Sequence, residues 1–186
     1  KSDWSYFHRW HYLGETIGTV IDAYVLWHSK PDGRDVPVGY VSIGPPSLAS
    51  TSRREAFGKH FDPDVVNKWF ATVTRVVLDP RYRGAGVAST MLRESIRAHA
   101  QRENTKYLEA KTSMGAVNRF NQSAGFRLIG TNSQLEQGDG AGGGRIGGES
   151  GDGGTRDRRI RKVYEFIMDV EDEFDDVEIR TGCDRR

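Results

Sequence analysis

The sequence is poor in cysteine and has no long apolar run. Its single cysteine, Cys183, is one of 186 residues. No disulfide can form within the chain, which favours a reducing, cytoplasmic location. A membrane-spanning helix needs about 20 consecutive apolar residues, and no stretch approaches this length, so no membrane association is predicted. The first residues, KSDWSYFHRW, contain neither an apolar signal segment nor an initiator Met, which is compatible with an origin inside a longer protein.

Charge and composition predict one globular domain. The formal net charge is +1, so bulk charge does not mark the chain as a polyanion binder. Hydrophobic residues make up 36% and include four Trp, enough for a single core. Ten of the seventeen residues 138–154 are glycine, which predicts a flexible loop. The predicted organisation is a core over 1–136, a glycine-rich loop over 137–158, and a last strand with an acidic tail over 159–186 of the same domain.

The stretch RVVLDPRYRGAGVA, residues 75–88, has the pattern of a strand, a small-residue loop and a helix. Val76, Val77 and Leu78 read as a buried strand, and an apolar periodicity predicts a helix over 87–101. The first amides of a helix lack internal partners and carry partial positive charge, so this loop is suited to an anion. The alternative is an ordinary strand-to-helix turn. Motifs for a nucleoside-triphosphate loop and for a dinucleotide fold are absent.

The same stretch resembles the acyl-CoA motif of the GNAT superfamily of N-acyltransferases, Q/R-x-x-G-x-G/A. Arg83, Gly86 and Ala88 occupy its fixed positions. The family pattern continues with a second strand and helix that end in a Gly-Phe pair. This chain supplies a strand over 106–111, a helix over 114–123, and then Gly125-Phe126. The resemblance extends over residues 19–170.

The resemblance implies a fold, a cofactor and a set of binding residues. The implied fold is α+β, with a mixed, mostly antiparallel splayed sheet between helices. The cofactor is acetyl-CoA or another acyl-CoA, with the pyrophosphate held by the loop and the thioester oxygen by a backbone amide of the central strand. Asn118 is expected to bond the pantetheine arm or a backbone carbonyl. The implied cofactor-binding residues are Val76, Val77, Leu78, Arg83, Gly84, Ala85, Gly86, Val87, Ala88 and Asn118.

The expected proton donor is missing. In the family a Tyr about four residues before the Gly-Phe pair often protonates the leaving thiolate, and here that position is Asn121. Asn cannot supply a proton. Replacements are sought in the N-terminal segment, where His11 and Tyr12 are the first candidates and His8 and Glu15 lie close by in sequence. The alternative is that His11 and Tyr12 only pack or cap the first helix. No histidine spacing predicts a metal site.

A narrower resemblance concerns the acceptor. The segments HYLG (11–14), SIGPP (42–46) and NRFNQSAGF (118–126) look like a GNAT subgroup that includes phage Mom DNA-modification proteins and domains fused to ABC-type ATPases. It implies an adenine amino group in DNA as acceptor, with phosphates contacted by basic residues. The candidates are Arg53, Arg54, Lys59, Arg158, Arg159, Arg161 and Lys162, for which a solvated surface is the alternative. The competing functions are acylation of a small-molecule or protein amine, and non-catalytic CoA binding.

Overall fold

A computed structural model describes residues 3–11, 17–135 and 160–170, and its centre is one six-stranded sheet. The spatial order of the strands is β1-β2-β3-β4-β6-β5. The strands are β1 (Asp22–Ser29), β2 (Asp35–Gly44), β3 (Phe70–Leu78), β4 (Tyr107–Thr112), β5 (Arg127–Leu135) and β6 (Ile160–Asp169). The helices are α1 (Trp4–Phe7), α2 (Thr51–Phe57), α3 (Pro63–Trp69), α4 (Val87–Arg102) and α5 (Phe120–Ser123).

Every neighbouring pair of strands in the sheet is antiparallel except one. β3 and β4 run parallel and are connected by α4, the longest helix. A parallel pair needs such a crossover, because a tight turn can join only antiparallel strands. The open, mostly antiparallel sheet with helices on both faces confirms the predicted α+β class.

The larger core lies between the sheet and α4. Met91 and Leu92, and Ile96 about one turn later, are buried on one face of the helix. They pack on alternate residues of the central strands, so the apolar stripe of the helix covers the apolar face of the sheet. At Gly39 on β2 the helix comes so close that a Cβ would collide with the Met91 sulfur. This contact fixes the position of α4 against the sheet.

The opposite face carries a buried ion pair. Arg53 of α2 donates from Nε and a terminal nitrogen to the two carboxylate oxygens of Glu109 on β4, at 2.8 and 2.7 Å. The guanidinium carbon lies 4.5 Å from the centre of the Phe70 ring. Arg53 is only 2% exposed, so the prediction that it contacts nucleic-acid phosphates is wrong. Its charge is used inside the fold, where a buried carboxylate requires a partner.

Two stretches differ from the sequence predictions. Within 47–70 the sequence predicts one short helix, 64–68, started by Pro63. The structure has α3 there and also α2, which begins where Ser50 accepts a hydrogen bond from the Arg53 N–H. The helix predicted over 114–123 is broken into a 3-10 turn (Met114–Ala116) and α5. At Gly115 a Cβ would lie 2.6 Å from Tyr164, so only glycine lets the chain pack this closely on β6 at the break.

Several predicted segments lie outside the described residues. These are Tyr12, Glu15, the glycine-rich loop, the acidic tail, and the basic residues Arg158 and Arg159. Of Arg161 only the backbone is described. Within the described part of the chain, no helix combines the length and the apolar character needed to cross a bilayer.

Candidate active site

A gap opens in the sheet where β3 and β4 separate. Their pairing extends over four residue pairs, from Phe70 opposite Tyr107 to Val73 opposite Ala110. Beyond these, β3 continues beside β2 while β4 follows β6. The edge of β3 from residue 74 to 78 therefore faces no strand among the described residues. A cavity of about 650 Å³ occupies the gap, with walls from β3, β4, the loop before α4, and the segment around α5.

A bulge in β3 lies at the point of separation. Ser42 of β2 pairs with Arg75, whereas its neighbour Ile43 pairs with Val73, so Thr74 is an extra residue. The Thr74 hydroxyl donates a hydrogen bond to the Ser42 backbone oxygen at 3.1 Å, and this bond stabilises the bulge. A bulge changes which side chains face each side of a strand. Val73 and Val76 consequently both belong to the α4 side of the sheet.

The backbone of β3 directs an amide into the gap. The Asp79 N–H donates to Val38 of β2, and backbone groups of successive strand residues point to alternate edges. The Leu78 carbonyl agrees with this alternation, because it accepts a hydrogen bond from Arg83 Nε at 3.1 Å on the edge away from β2. By the same alternation the Val76 N–H, two residues earlier, lies on that edge, and Val76 lines the cavity.

The loop at one end of the cavity has the geometry of an anion site. Gly84 and Gly86 have φ values of 89° and 76°, a backbone region that side chains other than glycine rarely adopt. A Cβ at either position would meet no atom within 4 Å, so the space beside them is open. The first hydrogen bond into α4 runs from the Thr90 N–H to the Gly86 oxygen. The amides of residues 87–89 therefore have no acceptor within the helix, and they fit a phosphate group.

The wall opposite β3 contains two asparagines. Asn118 lines the cavity, and its side-chain oxygen accepts a hydrogen bond from the Phe120 N–H at 3.1 Å, which starts α5. Asn121 also lines the cavity and is 2% exposed. Its backbone oxygen accepts hydrogen bonds from Ala124 and Phe126, both at 3.0 Å. The Asn121 side chain is thus held by a fixed backbone beside the cavity.

The other end of the cavity is formed by the N-terminal segment. His11 lines it, with its ring 5.5 Å from that of Trp4 in an edge-to-face contact. Burial, together with the charge of Arg75, lowers the pKa of His11 to about 4. The imidazole is therefore neutral at neutral pH and has a nitrogen that can accept a proton.

The lowered pKa of His11 makes stability depend on pH. In the unfolded chain His11 binds a proton near pH 6.5, but in the folded chain only near pH 4. Between these values the unfolded state holds more protons, so the free energy of unfolding should decrease as the pH falls through this window. Urea denaturation at about pH 7 and about pH 5 should show a smaller decrease for His11→Gln than for the wild type. His8→Gln is the matched control, and an equal decrease in both variants would contradict the assignment.

The cavity gathers most of the residues singled out from the sequence. It is lined by His11, Val76, Val77, Leu78, Arg83, Gly84, Gly86, Ala88, Asn118 and Asn121. Ala85 and Val87 were expected with them but lie on the other side of the loop, in a second cavity of about 400 Å³ between β1 and α4. The sequence did not indicate Trp10, Arg75, Lys111 or Arg119, which also line the first cavity. Among the described side chains, no group of three or more His, Cys, Asp or Glu is placed to bind a metal.

Comparison with known proteins identifies one family model. Residues 3–126 match the model described as the acetyltransferase (GNAT) family. No curated protein sequence matches the chain.

Several solved structures are similar to the chain at low sequence identity. NAA60 from Arabidopsis thaliana, in complex with acetyl-CoA, has a TM-score of 0.54 and 15% identity, over 83% of this chain and 78% of that one. Ribosomal-protein-alanine N-acetyltransferase from Brucella melitensis has a TM-score of 0.47 and 21% identity, over 80% and 68%. The protein yncA from Salmonella typhimurium, with its cofactor acetyl-CoA, has a TM-score of 0.45 and 18% identity, over 83% and 66%. The likeness to the Arabidopsis structure supports the fold.

Proposed function

Because the chain belongs to the acetyltransferase (GNAT) family, we propose that it is an acyl-CoA-dependent N-acyltransferase that works in the gap between β3 and β4. The observation that carries this proposal is the separation of these two strands. It creates one continuous cavity with the glycine loop at one end and His11 at the other. An acyl-CoA supplies the acyl group as an activated thioester.

The cofactor is assigned to the loop side of the cavity. Gly84 and Gly86 leave room for a pyrophosphate against the backbone, and the open amides at the start of α4 can donate to its oxygens. Arg83 is fixed beside this position by its hydrogen bond to Leu78. Asn118, on the facing wall, is assigned to the pantetheine arm. These residues would hold the phosphates and the arm of the cofactor, which would leave Val76 and His11 for the acyl group and the acceptor.

Four groups of the chain are assigned to the transfer step. The Val76 N–H can donate to the thioester oxygen, where negative charge develops as an amine attacks. As the C–N bond forms and the C–S bond breaks, a nitrogen of His11 accepts the proton that the amine loses. The Asn121 amide can donate a hydrogen bond to the leaving sulfur but cannot protonate it. Tyr12, next to His11 in sequence, is the residue we assign to that protonation.

Calorimetric titration of the purified protein with acetyl-CoA tests the cofactor assignment. We expect one saturable site, with tighter binding of acetyl-CoA than of a pantetheine fragment that lacks the pyrophosphate. Release of the CoA thiol on addition of an amine then tests turnover. Absence of acetyl-CoA binding would overturn the proposed function.

Removal of His11 should reduce turnover more than cofactor binding. We expect kcat/KM of His11→Ala to fall roughly 100-fold, since a positioned general base contributes about 10² to 10⁴ in rate. The Kd for acetyl-CoA should change little, because the pyrophosphate loop is at the other end of the cavity. His8→Ala, altered in the same segment but outside the cavity lining, is the control. Full turnover by His11→Ala would exclude the imidazole from the reaction.

An adenine amino group in DNA is the narrower acceptor that we propose from the resemblance of HYLG and SIGPP to the Mom-like subgroup. The side chains of Arg54, Lys59 and Lys162 are exposed and could contact phosphates, whereas Arg53 forms an ion pair with Glu109. Binding of single-stranded DNA that weakens steeply with salt would favour this acceptor over other amines. Acetyl-CoA binding without any turnover would instead favour the non-catalytic alternative.

A further inference from the structure

We infer that the acceptor carries an anionic group, a carboxylate or a phosphate, near its amine, and that Arg75 binds this group. The inference rests on the proposed acyltransferase function and adds the substrate class to it. Its basis is the position and charge of the cavity end that lies beyond the Val76 amide.

The bulge at Thr74 places Arg75 on the acceptor side. Arg75 follows the extra residue, so its side chain projects to the face of the sheet that carries the N-terminal aromatic residues. Its guanidinium carbon is 5.8 Å from the centre of the Trp4 ring, and the same ring contacts His11. Arg75 and His11 therefore lie beside one indole, and both line the cavity.

The charges around the cavity have one sign. Its lining includes four permanently cationic side chains and, among the described residues, no Asp or Glu. They are Arg75, Arg83, Lys111 and Arg119. Arg83 belongs to the cofactor loop, and Lys111 is 3.2 Å from Glu165 of β6, which lies outside the lining. A positive cavity attracts an anionic acceptor and disfavours one that bears a second ammonium group, such as a polyamine.

The adjacency of Arg75 and Val76 in the sequence indicates where the anion would lie relative to the amine. Arg75 directly precedes Val76, whose amide is assigned to the thioester oxygen. An anion held by Arg75 is thus close to the attacking nitrogen, as in an amino acid or an amino phosphate. A guanidinium has five N–H donors in one plane, and one terminal nitrogen of Arg75 donates to the Thr74 carbonyl at 2.8 Å. Their planar arrangement matches both carboxylate and phosphate oxygens.

Matched amines test the inference. The amines are phenylalanine against phenylethylamine, phosphoethanolamine against ethanolamine, spermidine, and a short single-stranded oligodeoxynucleotide. CoA release is measured for each, and kcat/KM is expressed per neutral amine. We expect the anionic member of a pair to be preferred by roughly 10- to 100-fold, the range for a hydrogen bond to a charged group. Arg75→Gln should remove this preference, and Arg75→Lys should restore part of it.

The outcomes separate the inference from the function on which it depends. Arg34→Gln, in the exposed β1–β2 turn, is the control and should retain the preference. Preference for the carboxylate pair or for the phosphate pair identifies the source of the anion. Equal use of charged and neutral amines, or a preference that survives in Arg75→Gln, would overturn the inference alone. Failure to bind acetyl-CoA, or binding with no amine acylated, would overturn the proposed function and the inference with it.

Discussion

Gly86→Glu should lower the affinity for acetyl-CoA by more than about 100-fold, since like charge and bulk both act at the phosphate position. Gly86 precedes α4 with φ at 76°, and the space beside it is open rather than filled by protein atoms. A side chain there would project from the loop where the pyrophosphate is assigned. Its carboxylate would repel the phosphates and compete for the amides at the start of the helix. Calorimetric titration with acetyl-CoA measures the loss.

Two controls separate charge from backbone strain in this prediction. Gly58, which ends α2, has φ at 64° and equally open surroundings, but it lies outside the lining of the cavity. Gly58→Glu therefore places the same side chain in the same backbone region and should leave acetyl-CoA affinity unchanged. Gly86→Ala introduces the strain without the charge, at a cost of about 1 kcal/mol. An unchanged Kd in Gly86→Glu would show that the loop does not hold the pyrophosphate.

Arg53→Met should reduce the free energy of unfolding by about 3–5 kcal/mol, the usual effect of leaving one buried charge without its partner. Glu109 is 3% exposed, and both of its carboxylate oxygens accept hydrogen bonds from Arg53. Removal of the guanidinium would leave that carboxylate in the protein interior. Urea denaturation followed by circular dichroism measures the change.

A double variant makes the test specific. Arg53→Met combined with Glu109→Leu removes both charges, and apolar replacement of a buried ion pair is often neutral or stabilising. The double variant should therefore recover most of the stability that the single variant loses. Arg54→Met, at the exposed neighbouring position, should change stability by less than about 0.5 kcal/mol. If the double variant were as unstable as Arg53→Met, lost packing rather than the unpaired charge would be the cause.

Local patterns predicted the elements that depend on nearby residues. The turn residues Pro31-Asp32-Gly33 between two strand-like stretches predict the hairpin of β1 and β2, and the apolar periodicity after Gly86 predicts α4. The alternating apolar residues of β6 likewise predict that strand, although residues 136–159 separate it from β5 in the sequence. In each case the chemistry of a short stretch determines its conformation.

The features missed from the sequence depend on distant partners. Nothing in the residues around Thr74 indicates an extra residue, because the bulge exists only relative to Ser42 on the neighbouring strand. For the same reason Arg75 appeared to be an ordinary strand residue. Arg53 was assigned to the surface because its partner, Glu109, is 56 positions away. The fold was therefore predicted better than the acceptor end of the cavity.

The short pairing of β3 with β4 also has a mechanical consequence. Four residue pairs join the half-sheet of β1, β2 and β3 to that of β4, β5 and β6. Arg53 follows β2 and Glu109 lies on β4, so their ion pair crosses the same junction from the side. The rest of the strand pairing lies within one half-sheet or the other. The junction between β3 and β4 is therefore the part of the sheet that deforms most easily. A molecule that contacts both walls of the gap would make this junction more rigid.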